Sequence, residues 1–91
     1  MTLSEMPTLD RDANLVDRVR ELMATTFLMD PSELSDDTSQ QTCGRWTSLY
    51  HMMLLVVLEE QLDVSFSIDE MTGMTSLPRI VEVLKTHGIA A

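Results

Sequence analysis

Between Ser48 and Leu62 the chain reads SLYHMMLLVVLEEQL, with neither glycine nor proline to interrupt it. Leu49, Met52, Leu55, Leu58 and Leu62 recur at helical spacing, and Met53, Val56 and Val57 flank them. The spacing predicts a helix over 48–62 that is apolar on more than one face. A chain of 91 residues buries only about 60–65% of the surface its unfolded form exposes. So small a core cannot cover every apolar face of this helix, and part of it is expected to stand exposed for a partner.

The remainder of the chain supplies further helices. Leu15, Val19, Leu22, Met23 and Phe27 follow spacings of four, three, one and four, which is one face of an amphipathic helix over about 12–28. Asp10 or Asp12 is placed to cap it, and residues 1–9, with Pro7 and no helical period, read as a tail. Asp30-Pro31 stops this helix, and DPSELSDDTSQQTCGRW forms a long polar connection with only Leu34 and Trp46 as large apolar members. A loop of that length usually has a function. Ser67 to Glu70, SIDE, has the order of a capping box, and Gly73 can end the short helix it begins. Thr75 or Ser76 can cap a last helix that tolerates Pro78 in its first turn. Leu77, Ile80, Val81 and Leu84 would supply its inner face, with Lys85 and His87 at the cation-preferring end. VSFSI alternates but is five residues long and has no partner run. The expectation is an all-α, small four-helix bundle with a short third helix and a long loop between helices 1 and 2. It forms one domain over residues 10–87, with tails at 1–9 and 88–91.

Fifteen acidic residues against six basic ones give a formal charge of −9. That disfavours nucleic acid and anionic membrane surfaces and favours a basic protein patch. One cysteine, Cys43, excludes an internal disulfide and fits a reducing compartment. No cationic segment precedes an apolar one at the N-terminus, and the apolar run Met52 to Leu58 is too short to span a bilayer. A soluble, cytoplasmic monomer is expected.

Ser48 stands at the entrance to the apolar helix. Its hydroxyl can cap a backbone N–H, a job Thr47 can do equally well. It can also bear a phosphate ester, because the free N–H groups and positive dipole end of a first helical turn stabilise an anion. Other constellations are weaker. Ser48 and His51 lie three apart, yet no nucleophile elbow, orienting acid or oxyanion hole accompanies them. Cys43, His51 and His87 lack metal-ligand spacing and read as ordinary packing and surface groups. Asp30, Glu33, Asp36 and Asp37 lack the order of a calcium loop. Trp46 reads as a packing residue rather than a ligand platform. Arg45 reads as a solvated cation before a phosphodiester contact, and Glu59 and Glu60 as a solvated face before a partner handle.

The stretch WTSLYHMMLLVVLEEQLDVSFSIDEMTGMTSL resembles the signature of acyl and peptidyl carrier proteins. In that family an Asp-Ser-Leu opens the second helix and its serine carries 4′-phosphopantetheine. Ser48 and Leu49 match the last two residues, Glu59-Glu60 ends the helix, LDVSF stands at the following turn, and MTSL begins the last helix. The likeness extends over about residues 12–86, the first helix matching only in apolar spacing. Trp46 and the His51-Met52 pair are more similar to discrete carriers of natural-product pathways, polyketide or nonribosomal peptide, than to the fatty-acid carrier. The resemblance implies a non-catalytic carrier whose arm, donated by coenzyme A and attached at Ser48 by a phosphopantetheinyl transferase, holds an acyl or aminoacyl thioester. Its partners would be that transferase, a loading enzyme and a downstream synthase or transferase. They would meet a surface of Thr47, Leu49, Met52, Met53, Val56, Glu59 and Glu60, where Met53 replaces an often acidic residue and makes the surface more apolar. Two departures stand out. Thr47 occupies the position of the aspartate that helps hold magnesium during arm transfer, and SQQTCGRW replaces inward-facing apolar loop residues, leaving Trp46 and Cys43 to seal that side. The alternative is a carrier-like interaction module that is never modified.

Overall fold

The computed structural model describes the backbone of residues 6–89 and the side chains of residues 13–89. Four helices follow one another: α1 (Met6–Phe27), α2 (Ser48–Leu62), α3 (Ile68–Gly73) and α4 (Leu77–Thr86), with a 3₁₀ turn at Pro31–Glu33. Among the described residues no strand forms and no helix is long and apolar enough to cross a membrane. α1 packs against both α2 and α4 and is the middle element of the bundle.

α1 begins at Met6, ahead of the caps expected at Asp10 or Asp12, which fall inside it. Pro7 is compatible with this start, since the first turn needs no amide donor there. Residues 1–5 of the expected tail lie outside the described residues. Leu15, Val19, Met23 and Phe27 are buried at a regular spacing of four, Ala24 is buried beside them, and Leu22 is half-buried on the flank toward α2. The helix closes in a Schellman arrangement: the Met29 N–H donates to the Ala24 carbonyl at 2.9 Å and Leu28 adopts φ 59°. A leucine, not a glycine, holds this left-handed position.

The loop over residues 28–47 is ordered by its own side chains. Asp30 caps the 3₁₀ turn by accepting from the Ser32 N–H at 2.9 Å, and the Glu33 carboxylate accepts from the Asp30 N–H at 2.9 Å. These bonds hold the Asp30 carboxyl below its usual range, the Ser32 backbone N–H first among them and its hydroxyl second. Thr38 is buried, its hydroxyl bridging the Ser35 N–H and carbonyl. Leu34, Cys43 and Trp46 turn inward, so Trp46 and Cys43 do seal this side of the bundle. The loop is also clipped to the start of α4 by backbone bonds: Gln40 N–H to the Thr75 carbonyl at 3.0 Å and Leu77 N–H to the Thr38 carbonyl at 2.7 Å, around a Ser39–Ser76 bridge. Arg20 of α1 pairs with Asp36 across the same loop.

The inward side of α2 differs from the expected stripe. Leu54, Leu55 and Leu58 are buried, with His51 and Leu62 half-buried beside them, so Leu54, outside the periodic stripe, turns inward, while Leu49 and Met52 of that stripe face outward, where the expected partner surface put them. Apolar residues surround this helix, so periodicity alone does not single out the inner face. The local signals fared better. Ser67 and Glu70 form the expected capping box on α3, Gly73 is its last residue, and Ser76 caps α4 by accepting from the Arg79 N–H. Leu77, Ile80, Val81 and Leu84 are buried as expected, joined by Val83. The fold continues through Gly88, at φ 82°, and half-buried Ile89, whose N–H donates to the Leu84 carbonyl at 3.0 Å. Ala90 and Ala91 of the expected C-terminal tail lie outside the described residues.

Candidate functional site at the start of α2

Ser48 is the first residue of α2, and Thr47 is the cap. The Thr47 hydroxyl accepts from the Tyr50 N–H at 3.3 Å, and the Thr47 carbonyl accepts from the His51 N–H at 2.8 Å. Capping by Thr47 leaves the exposed Ser48 hydroxyl with no hydrogen bond among the described residues. The N–H groups of Ser48 and Leu49 have no acceptor within the helix, so donors and the positive end of the helix dipole gather around the serine. A phosphate ester on Ser48 fits this arrangement sterically and electrostatically.

Packing and hydrogen bonds hold the residues on either side of Ser48. Arg45 is exposed, as expected of a solvated cation, and also donates to the Phe27 carbonyl at 3.2 Å at the end of α1. Trp46 is only 3% exposed and packs on Phe27 with ring centroids 5.6 Å apart. Tyr50 meets the same phenyl ring edge-on at 5.9 Å. The Trp46 indole N–H donates to His51 Nδ1 at 3.0 Å, and His51 Nε2 lies 2.9 Å from the Met71 carbonyl oxygen. His51 is therefore a bridge between loop, α2 and α3, not the free surface ring its sequence position suggests. His87 likewise meets the Glu70 carboxylate, at 3.0 Å.

Four of the expected contact residues form the exposed apolar face: Leu49 is 68% exposed, Met52 56%, Met53 43% and Val56 50%. Met52, Met53, Val56 and Val57 line one shallow depression, and Met53 and Val57 also line a groove against Leu22, Thr25 and Leu28 of the α1 end. The sequence reading missed this extension. Leu28, 71% exposed, lies just past the helical repeat of α1 and carried no periodic signal. Glu60 is exposed, whereas half-buried Glu59 accepts from the Phe66 N–H at 3.0 Å and helps hold the turn after α2. No group of three or more histidine, cysteine or carboxylate residues converges as a metal site among the described residues.

Comparison with known protein families finds no matching family model, and comparison with curated proteins finds no match to the chain.

Proposed function

We propose that this chain is a discrete acyl or aminoacyl carrier, of the acyl-carrier type of helical bundle, with Ser48 as the attachment residue for 4′-phosphopantetheine. The observation that carries the reading is the division of labour at the start of α2, where Thr47 caps the helix and leaves the Ser48 hydroxyl exposed, with no hydrogen bond among the described residues. The arm, when attached, supplies a thiol that holds the acyl or aminoacyl group as a thioester. The chain's own residues then do three things. Ser48 and Leu49 N–H groups stabilise the anionic link, Trp46, Arg45 and His51 hold the serine's backbone in one place, and the apolar face from Leu49 to Val56 gives partner enzymes a surface to grip. The net charge of −9 draws basic partner surfaces toward that face. The domain performs no chemistry alone and works with a phosphopantetheinyl transferase, a loading enzyme and a downstream synthase or transferase in polyketide or nonribosomal-peptide-type biosynthesis in the cytoplasm.

One observation favours a second reading. Thr47 engages its only side-chain oxygen in the helix cap and brings no carboxylate next to Ser48, as expected of a carrier-like module that binds partners without being modified. Intact mass before and after incubation with coenzyme A, magnesium and a broad-specificity phosphopantetheinyl transferase separates the two. Gain of one phosphopantetheinyl group, absent in Ser48→Ala, is the expected result. No gain with that enzyme or with a transferase from the source organism favours the unmodified module.

A further inference from the structure

Eight of the 91 residues are methionine, and the side chains of six of them are described. These six occupy three environments. Met23 and Met74 are fully buried, and Met29 and Met71 are half-buried against the core. Met52 and Met53 are exposed, side by side in the middle of the apolar face of α2.

Exposure governs how readily a thioether is oxidised, and the aliphatic side chains of Leu28, Leu49 and Val56 on the same surface have no such chemistry. The redox reactivity of the whole face therefore rests on two adjacent residues. In the reaction the sulfur gives an electron pair to one oxygen of hydrogen peroxide and the O–O bond breaks. The proton of the transferred hydroxyl passes to the departing oxygen, leaving a sulfoxide and water, so sulfur loses two electrons and the peroxide gains them. A thiol-dependent sulfoxide reductase reverses the step: two thiols become a disulfide, the oxygen leaves as water and the thioether returns. Cys43 is buried with its Sγ 4.0 Å from Met29 Sδ, and it lines a separate depression in the loop.

The consequence follows from where the oxygens land. Met52 stands one helical turn beyond Ser48, and Met53 lines the groove with Leu22, Thr25, Leu28 and Val57. Both also line the depression that includes Val56. A sulfoxide at either place sets a hydrogen-bond acceptor among apolar contacts, and burying it unpaired opposes docking. Leucine would fill much the same volume and could not be oxidised. Neither side chain belongs to the core, so the change alters the surface without opening the fold.

We propose that Met52 and Met53 are a reversible oxidation site that switches off docking on the α2 face. The proposal rests on the reading of that face as a docking surface. Its test is graded hydrogen peroxide on the full chain, followed by peptide mass mapping, circular dichroism and the fluorescence of bound Nile red, a neutral apolar dye. Met52 and Met53 should gain oxygen well before Met23, Met29, Met71 and Met74, and the helical signal and thermal midpoint should hold. Dye fluorescence should fall, and the two epimer-specific sulfoxide reductases with dithiothreitol should restore it. In the double variant Met52→Leu, Met53→Leu, peroxide should leave the dye signal at that variant's own untreated value. Oxidation of the buried methionines at the same rate, loss of the fold together with the dye signal, or an equal loss in the double variant would overturn the proposal. Arm transfer from coenzyme A reads the switch on a partner enzyme: KM for the oxidised chain should rise about tenfold, and an unchanged KM ends the idea. A chain that accepts no arm in either state refutes the carrier reading alone, and the mapping and the dye then decide the oxidation site.

Discussion

At the scale of the residue, three positions make distinct demands. Leu28 occupies a left-handed conformation that disfavours a side chain by about 1–2 kcal/mol. Leu28→Gly should therefore raise stability by about 0.5–1 kcal/mol, the added chain entropy of glycine offsetting part of the relief. Denaturant midpoints check this, and the same variant should bind partner enzymes less well, since it removes a leucine from the exposed groove edge. Ser48→Ala should change stability by no more than about 0.5 kcal/mol, because the exposed hydroxyl makes no hydrogen bond among the described residues. It should abolish arm attachment; equal loading of this variant in the mass experiment would end the assignment. Trp46→Ala, by contrast, should lower stability by about 3–5 kcal/mol by emptying a buried site against Phe27 and orphaning His51 Nδ1. A shift in the thermal or denaturant midpoint measures it. Together these separate the residues that build the site from the one that faces out of it.

At the scale of the element, what the sequence disclosed depended on how local each cause was. The capping box of Ser67 and Glu70, the Ser76 cap and the inner face of α4 were legible, because each rests on residues within a turn of one another. The beginning of α1 was hidden by Pro7, which breaks a helix in its middle but not in its first turn. The orientation of α2 was hidden for another reason: with leucine, methionine or valine on every side, only contact with α1 decides that Leu54 turns in and Leu49 turns out. The bridging role of His51 needed α3 in place before it existed. The candidate serine was readable; the reason it is free of capping duty was not, since Thr47 and Ser48 were equivalent on paper. The capping box also yields a pH dependence. Glu70 has its folded-state pKa lowered, so its stabilisation is fully present above the ordinary value of 4.5 and is lost as pH falls through the lower folded value. Glu70→Gln should be less stable than wild type near pH 6, and the gap should close in acid, as urea unfolding at several pH values would reveal.

At the scale of the whole molecule, an acidic chain carries an apolar face on one helix and the end of another. Exposed charges are screened over about 8–10 Å near physiological ionic strength. Association with a basic partner should weaken as salt is added, mainly through slower encounter, while contacts from Met52, Met53 and Val56 persist. Binding kinetics across a salt series would show this, and an affinity indifferent to salt would remove the electrostatic part of the docking scheme. The backbone clip between the loop and α4 has a further consequence. Its bonds join residues 38 and 40 to residues 77 and 75, so α2 and α3 form an excursion whose two ends meet. A stretch of chain that leaves and returns at one place is a natural unit of exchange. Transplanted with its apolar inner leucines, residues 40–75 would carry the serine and the Leu49–Val56 part of the gripping face into another bundle, which would have to supply the ring that Phe27 offers Trp46 and the groove edge that Leu28 offers Met53.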